Sequence, residues 1–206
     1  MPDIVKERPV LFNAPMVRAI LDGSKTQTRR IVKTAKDHFL RCELAPCELA
    51  GEVNSGNYHN CSYGRPGERL WVRESWQAWH QTSIEYNEWE VCDGPPSQIL
   101  DQYGRASVEY HATSQSSGPW RPSIHMPRWA GRIDLLIRSV RIERLQDISE
   151  ADALAEGITY DQLPDNPHDL QRARTWYRGL WEEINGAGSW EANPWVWVIG
   201  FERVKP

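Results

Sequence analysis

The sequence predicts an α+β fold, a mixed β-barrel with short flanking helices and inserted loops. Three observations carry this expectation. Apolar residues alternate or run continuously over several short segments, as strands require, and short capped segments at helical spacing stand between them. The chain has 206 residues, 40% hydrophobic and 25% charged, enough for one domain with a real core.

Pro9-Val10-Leu11-Phe12 reads as the first strand. Asn13 is placed as the N-cap of a helix with Pro15 in its first turn, where a missing N–H costs nothing. That helix carries Val17, Ile20 and Leu21 on one side and stops at Gly23. Ser24 to Arg30 therefore begins beyond a helix C-terminus, where a cation such as Lys25 is at home against the helix dipole. From about 36 to 65 neither strand nor helix period persists, so a long loop is expected, holding Cys42, Cys47, His59 and Cys61. After the turn at Gly64-Arg65-Pro66-Gly67, the residues from Leu70 to Trp76 alternate imperfectly, as in a strand.

Residues from about 80 to 119 read as an insertion with Gly94-Pro95-Pro96, a polar Ser114 to Gly118 stretch and one strand at Ser107 to Ala112. The segment Trp120 to Trp129 contains Pro122 and Pro127, which forbid regular helix or central strand, so it is expected to display its side chains from an irregular backbone. Ile133 to Leu145 reads as a long strand, and Ser149 with Asp152 opens a short helix that Gly157 ends. A second helix is expected from near Pro167, with Leu170, Ala173, Trp176 or Tyr177, Leu180, Trp181 and Ile184 as a core stripe. Trp195 to Val204 is a buried strand by its continuous apolar run.

Composition narrows the function classes. The start of the chain lacks the apolar run of a signal peptide, and no stretch reaches the roughly 18 apolar residues of a membrane span, so a cytoplasmic protein without a membrane partner is expected. There Cys42, Cys47, Cys61 and Cys92 are thiols or metal ligands before they are disulfides. A net charge of −4 argues against coating nucleic acid through a bulk field but leaves room for a local basic groove. Eleven tryptophans exceed what a core of this size needs, which leaves some for stacking on a flat ligand.

Several phrases resemble the ASCH-domain proteins of phages and prophages: Pro9 to Arg30, Gly67 to Glu74, Pro122 to Ala130, Leu145 to Ile158 and Asn193 to Val198. The resemblance implies a single PUA-like barrel over residues 1–206, a link to RNA, and a distant likeness to a bacterial acetylcytidine amidohydrolase. In that enzyme a lysine and a threonine of a G-x-K-T-x-T motif act with a glutamate of a later short helix. Gly23-Ser24-Lys25-Thr26-Gln27-Thr28 matches the motif, which carries those roles to Lys25, Thr28 and Glu156.

The residue types suit that chemistry: a desolvated lysine as base or oxyanion partner, a hydroxyl as nucleophile, and a carboxylate for the leaving amine. Arg29, Arg30, Trp71, Glu74, Trp120, His125 and Arg128 are the candidate substrate-binding residues, supplying cations, stacking faces and a competing cleft carboxylate. Cys42, Cys47, His59 and Cys61 form a C-x4-C…H-x-C set whose thiolates and imidazole suit a structural zinc; no cofactor is required otherwise. The expected ligand is a nucleoside or short single-stranded RNA, with amide hydrolysis ahead of ribonuclease action. A non-catalytic RNA-binding module and a phage assembly factor are the alternatives.

Overall fold

The computed structural model describes residues 6–83, 88–91, 106–158, 163 and 171–204. Cys92, Gly94-Pro95-Pro96, Pro167 and Leu170 lie outside the described residues. The fold is mixed α+β. Ten strands are described: β1 (Glu7–Leu11), β2 (Gln27–Ile31), β3 (Ala35–Lys36), β4 (Glu43–Leu44), β5 (Arg69–Arg73), β6 (Trp76–Ser83), β7 (Glu88–Val91), β8 (Ala106–Tyr110), β9 (Asp134–Arg144) and β10 (Trp195–Val204). The helices are α1 (Ala14–Asp22), α2 (Pro46–Asn54), α3 (Glu150–Ala155) and α4 (Arg172–Asn185).

Strands β1-β5-β9-β10-β2 form, in that order, a five-stranded sheet that is open among the described residues, with β1 and β2 as its edges. A β3-β4 pair and a three-stranded β7-β6-β8 sheet complete the strand pairing. Among the described residues no helix is long and apolar enough to cross a membrane. The chain forms two compact units: Met1–Arg8, Ala19–Leu70 and Leu135–Pro206 make the first, Pro9–Arg18 and Trp71–Asp134 the second.

In the first unit β2 pairs antiparallel with β10, setting Arg29 opposite Val198 and Thr28 opposite Ile199. Directly opposed residues share a face of a sheet, so the register assigns each β2 side chain to a side. Val196 and Val198 pack on that face with Ile148 and Ala153 and with Ala173, Tyr177 and Trp181 of α4. The spacing of four between the last three puts them on one helix stripe, and each large side chain removed from water contributes roughly 1.5–3 kcal/mol. Tyr177 rather than Trp176 is the fully buried member, and Ile184, expected in the core stripe, is instead exposed near the C-terminal end of α4. Glu150 of α3 accepts from the backbone N–H groups of Ala173 and Arg174 at 2.6 and 3.0 Å, satisfying first-turn donors of α4 with an anion.

The stretch expected as a loop over 36–65 contains β3, β4 and α2. Leu49, Ala50 and Val53 of α2 are buried, and Glu48 caps it by accepting from Ala45 N at 2.9 Å. Asn60 ties the segment together, donating to Asp37 at 3.1 Å and to Glu52 at 2.8 Å. A nine-residue helix with so few apolar anchors and a glycine inside it leaves little periodic signal.

In the second unit β6 pairs antiparallel with both β7 and β8, so the expected insertion over 80–119 carries part of a three-stranded sheet rather than one strand. Trp71, Trp76, Ala78, Met126 and Ala130 form its buried cluster. The proline-bounded segment forms two 3-10 turns, Ser123–His125 and Arg128–Ala130, each opened by a proline.

Candidate active site

Lys25 and Glu156 are brought together by backbone first. The two residues form an isolated antiparallel bridge, Thr26 N donates to Ala155 O at 2.9 Å, and Lys25 N donates to Ala19 O at 2.9 Å. Gly157 makes this approach feasible: its φ is +97°, and a Cβ there would lie 2.9 Å from the Cβ atoms of both Ala19 and Lys25. Lys25 Nζ then donates to Glu156 Oε2 and to the Glu156 carbonyl, both at 2.8 Å. The Lys25 side chain thus serves the C-terminal end of α3, while its backbone N–H serves that of α1.

Strand alternation adds Gln27 and Arg29 to the same face. Arg29 Nη1 donates to Glu156 at 3.1 Å, its Nη2 donates to Glu143 at 2.7 Å, and Asp152 lies 3.5 Å from Nη2. Gln27 Nε2 donates to Asp152 at 3.0 Å, and Arg141 of β9 donates to Asp152 at 3.1 Å and to Glu143 at 2.8 Å. Three cations and three carboxylates thus form one linked network. Thr28, between Gln27 and Arg29, projects to the opposite face with Ile199; its Oγ1 is buried and finds no hydrogen-bond partner among the described residues. The structure therefore unites Lys25 with Glu156 and Arg29, and sets Thr28 apart.

Burial sets the chemistry of these groups. Desolvation pushes the Lys25 ammonium below the usual lysine range, against the opposing pull of Glu156. Burial also works against the charge of Arg29, but Glu156 and Glu143 outweigh it and keep the guanidinium charged. Burial raises the Asp152 carboxyl, yet hydrogen bonds from Gln27 and Ser149 and the charges of Arg141 and Arg29 overcome it and hold it at about 2. Tyr177, 6.0 Å from Arg29 across its ring, stays a neutral phenol because burial and Glu156 push its hydroxyl well up. Side-chain exposure rises from 0% at Lys25 and 4% at Glu156 through 16% at Glu143 and 25% at Asp152 to 36% at Arg141, so the network meets solvent at Glu143, Asp152 and Arg141.

The other candidates lie elsewhere. Arg30 is half-buried in the first unit and donates to Arg29 O at 3.2 Å. Trp71, Glu74, Trp120, His125 and Arg128 belong to the second unit. Trp71 is buried, with the guanidinium groups of Arg73 and Arg128 at 5.3 and 5.5 Å from its ring. Glu74 is buried too, held by both Nε and Nη2 of Arg132 at 2.9 and 3.0 Å. Trp120 is half-buried against His111, His125 is exposed at the end of the first 3-10 turn, and Arg128 pairs with Asp134 at 2.9 Å. The exposed aromatic of this segment is Trp129, packed edge-on against Trp76.

Cys42 and Cys47 are exposed, Cys61 is buried, and His59 meets Phe39 edge-on. Among the described residues, no group of three or more His, Cys, Asp or Glu is placed to hold a metal ion. Sequence reasoning passed over Glu143, Arg141, Gln27 and the site role of Asp152. Their signal was present only as Gln27/Arg29 and Arg141/Glu143, polar pairs two apart that share a face of a strand. Comparison of the chain with protein-family models, curated proteins and solved structures finds no match.

Proposed function

We propose that this chain is a cytoplasmic protein of the PUA-like ASCH type that binds a nucleoside or short RNA and hydrolyses an amide on a modified nucleoside such as acetylcytidine. One observation carries the reading: Lys25 and Glu156, 131 residues apart in sequence, meet at 2.8 Å with almost no exposure to water. A buried lysine with reduced proton affinity beside a carboxylate is a proton donor and acceptor in contact.

In the proposed reaction Glu156 takes a proton from water and the hydroxide adds to the acyl carbon. Lys25 gives a proton to the exocyclic nitrogen, and the C–N bond breaks to release the acid and the free amine. The proton on Glu156 then returns to Lys25 across their hydrogen bond. Water takes the place that the resemblance assigns to Thr28, whose face of β2 is the other one. Substrate reaches the pair along the edge of Glu143 and Asp152.

That placement of Thr28 favours a second reading, a binding module without chemistry. Incubation of pure protein with acetylcytidine decides between them. The expected outcome is stoichiometric release of acetate and cytidine, with turnover reduced by at least about a hundredfold in Lys25→Met and Glu156→Gln. Saturable binding with no release selects the binding module, and neither binding nor release sinks both readings.

A further inference from the structure

Arg29 has one nitrogen without a hydrogen-bond partner among the described residues. Its Nη1 and Nη2 are taken by Glu156 and Glu143, but Nε–H is buried and finds no hydrogen-bond partner among the described residues. The residue is only 2% exposed, and a charged N–H left unpaired in such a place is costly. In a guanidinium, Nε–H and one hydrogen of Nη2 lie along the same edge. Nη2 is the nitrogen that faces Glu143 and Asp152, the two carboxylates with partly open flanks. The orphaned donor therefore shares a guanidinium edge with the nitrogen that meets these two partly exposed carboxylates, within the same network as Lys25 and Glu156.

We infer that Arg29 Nε–H is the donor that holds the acyl oxygen of the substrate and stabilises it as the oxyanion; this rests on the hydrolytic reading above. The chemistry of the neighbours selects that occupant. Three carboxylates already surround the guanidinium, so a fourth full negative charge would be repelled in the ground state. A neutral carbonyl oxygen enters without that penalty and becomes negative only as hydroxide adds, when a fixed, dry N–H gains most strength. Lys25 is then free of the oxyanion role and available for the leaving nitrogen.

The full chain, labelled with 15N, provides the test through the Arg29 Nε–H resonance, assigned by through-bond experiments. Acetylcytidine is expected to move that resonance downfield, while cytidine, which lacks the acyl oxygen, leaves it in place. In kinetics, Arg29→Lys keeps the charge but loses the Nε–H, and kcat is expected to fall about 100-fold with KM changed less than about threefold. Turnover by the wild type with a silent Nε–H resonance, or with kcat of a folded Arg29→Lys within tenfold of wild type, overturns the inference and leaves the hydrolytic reading standing. No turnover and no perturbed resonance anywhere in the protein removes the hydrolytic reading, and the inference with it. Should Arg29→Lys fail to fold, the wild-type resonance decides alone.

Discussion

Glu143, Asp152 and Glu156 crowd around one guanidinium, and the partners of Asp152 decide how it responds to acid. Asp152 has the most cationic and hydrogen-bonding support, and its carboxyl is held at about 2 against an ordinary value of 3.8. A carboxyl depressed on folding contributes stability above its unfolded value and loses it as pH falls through the folded value. The stabilisation is therefore full above about pH 4 and disappears toward pH 2. Its size is on the order of 1–2 kcal/mol once the screening of a quarter-exposed group is allowed for. Asp152→Asn should accordingly be less stable than wild type by about that amount in urea at pH 7, with the gap closing between pH 4 and pH 2; a gap that persists at pH 2 contradicts the assignment. Lys25 stood out as a candidate because a short motif marked it, and Glu156 because the resemblance carried a role to it. Glu143 and Arg141 were not, because a charged residue in a strand reads as surface until the partner across the sheet is known.

Element boundaries followed local rules at two capped helices. Asn13 caps α1 through Met16 N at 3.0 Å, and Ser149 caps α3 through Asp152 N at 3.1 Å, both as their sequences imply. Strands β9 and β10 also lie within a residue of their expected spans, since each presents a long apolar pattern. What local pattern could not supply was β7, whose four residues are all exposed, and α2, whose apolar anchors are few. The strand order of the five-stranded sheet depends on partners distant in sequence and was not legible either, and the sheet is open among the described residues where a barrel was expected. The same contrast between local and distant causes yields a prediction at two helix ends. Gly23 after α1 and Gly157 after α3 both have φ near +90°, but an added Cβ meets nothing at Gly23 and two Cβ atoms at 2.9 Å at Gly157. Gly23→Ala should cost only the conformational strain, about 1 kcal/mol. Gly157→Ala should cost about 2–4 kcal/mol, because it also forces Lys25 and α3 apart. Equal urea midpoints for the two variants would show that the close approach at Gly157 adds nothing.

A chain with a net charge of −4 meets a polyanion at a disadvantage, and the range of that disadvantage is short. At physiological salt the field is screened within about 8 Å, so any RNA binding must come from local contacts. The catalytic candidates contribute little to such contacts, since the cations Lys25 and Arg29 are buried and neutralised by carboxylates. That favours an uncharged base over a phosphate at the Lys25–Glu156 pair. Cationic contact with a phosphate is left to exposed groups such as Arg128, beside the exposed ring of Trp129 in the second unit. Raising salt should therefore separate the two proposed ligands. Affinity for acetylcytidine, which carries no charge, should stay within about twofold between 50 and 200 mM salt, whereas affinity for a short single-stranded RNA should weaken with a log–log slope of about −1 to −2. Arg128→Ala should flatten that RNA slope by about one counterion without altering acetylcytidine turnover. A slope steeper than about −4 would require an extended basic surface, and a salt-sensitive acetylcytidine affinity would place exposed charge, not the buried pair, in contact with the nucleoside.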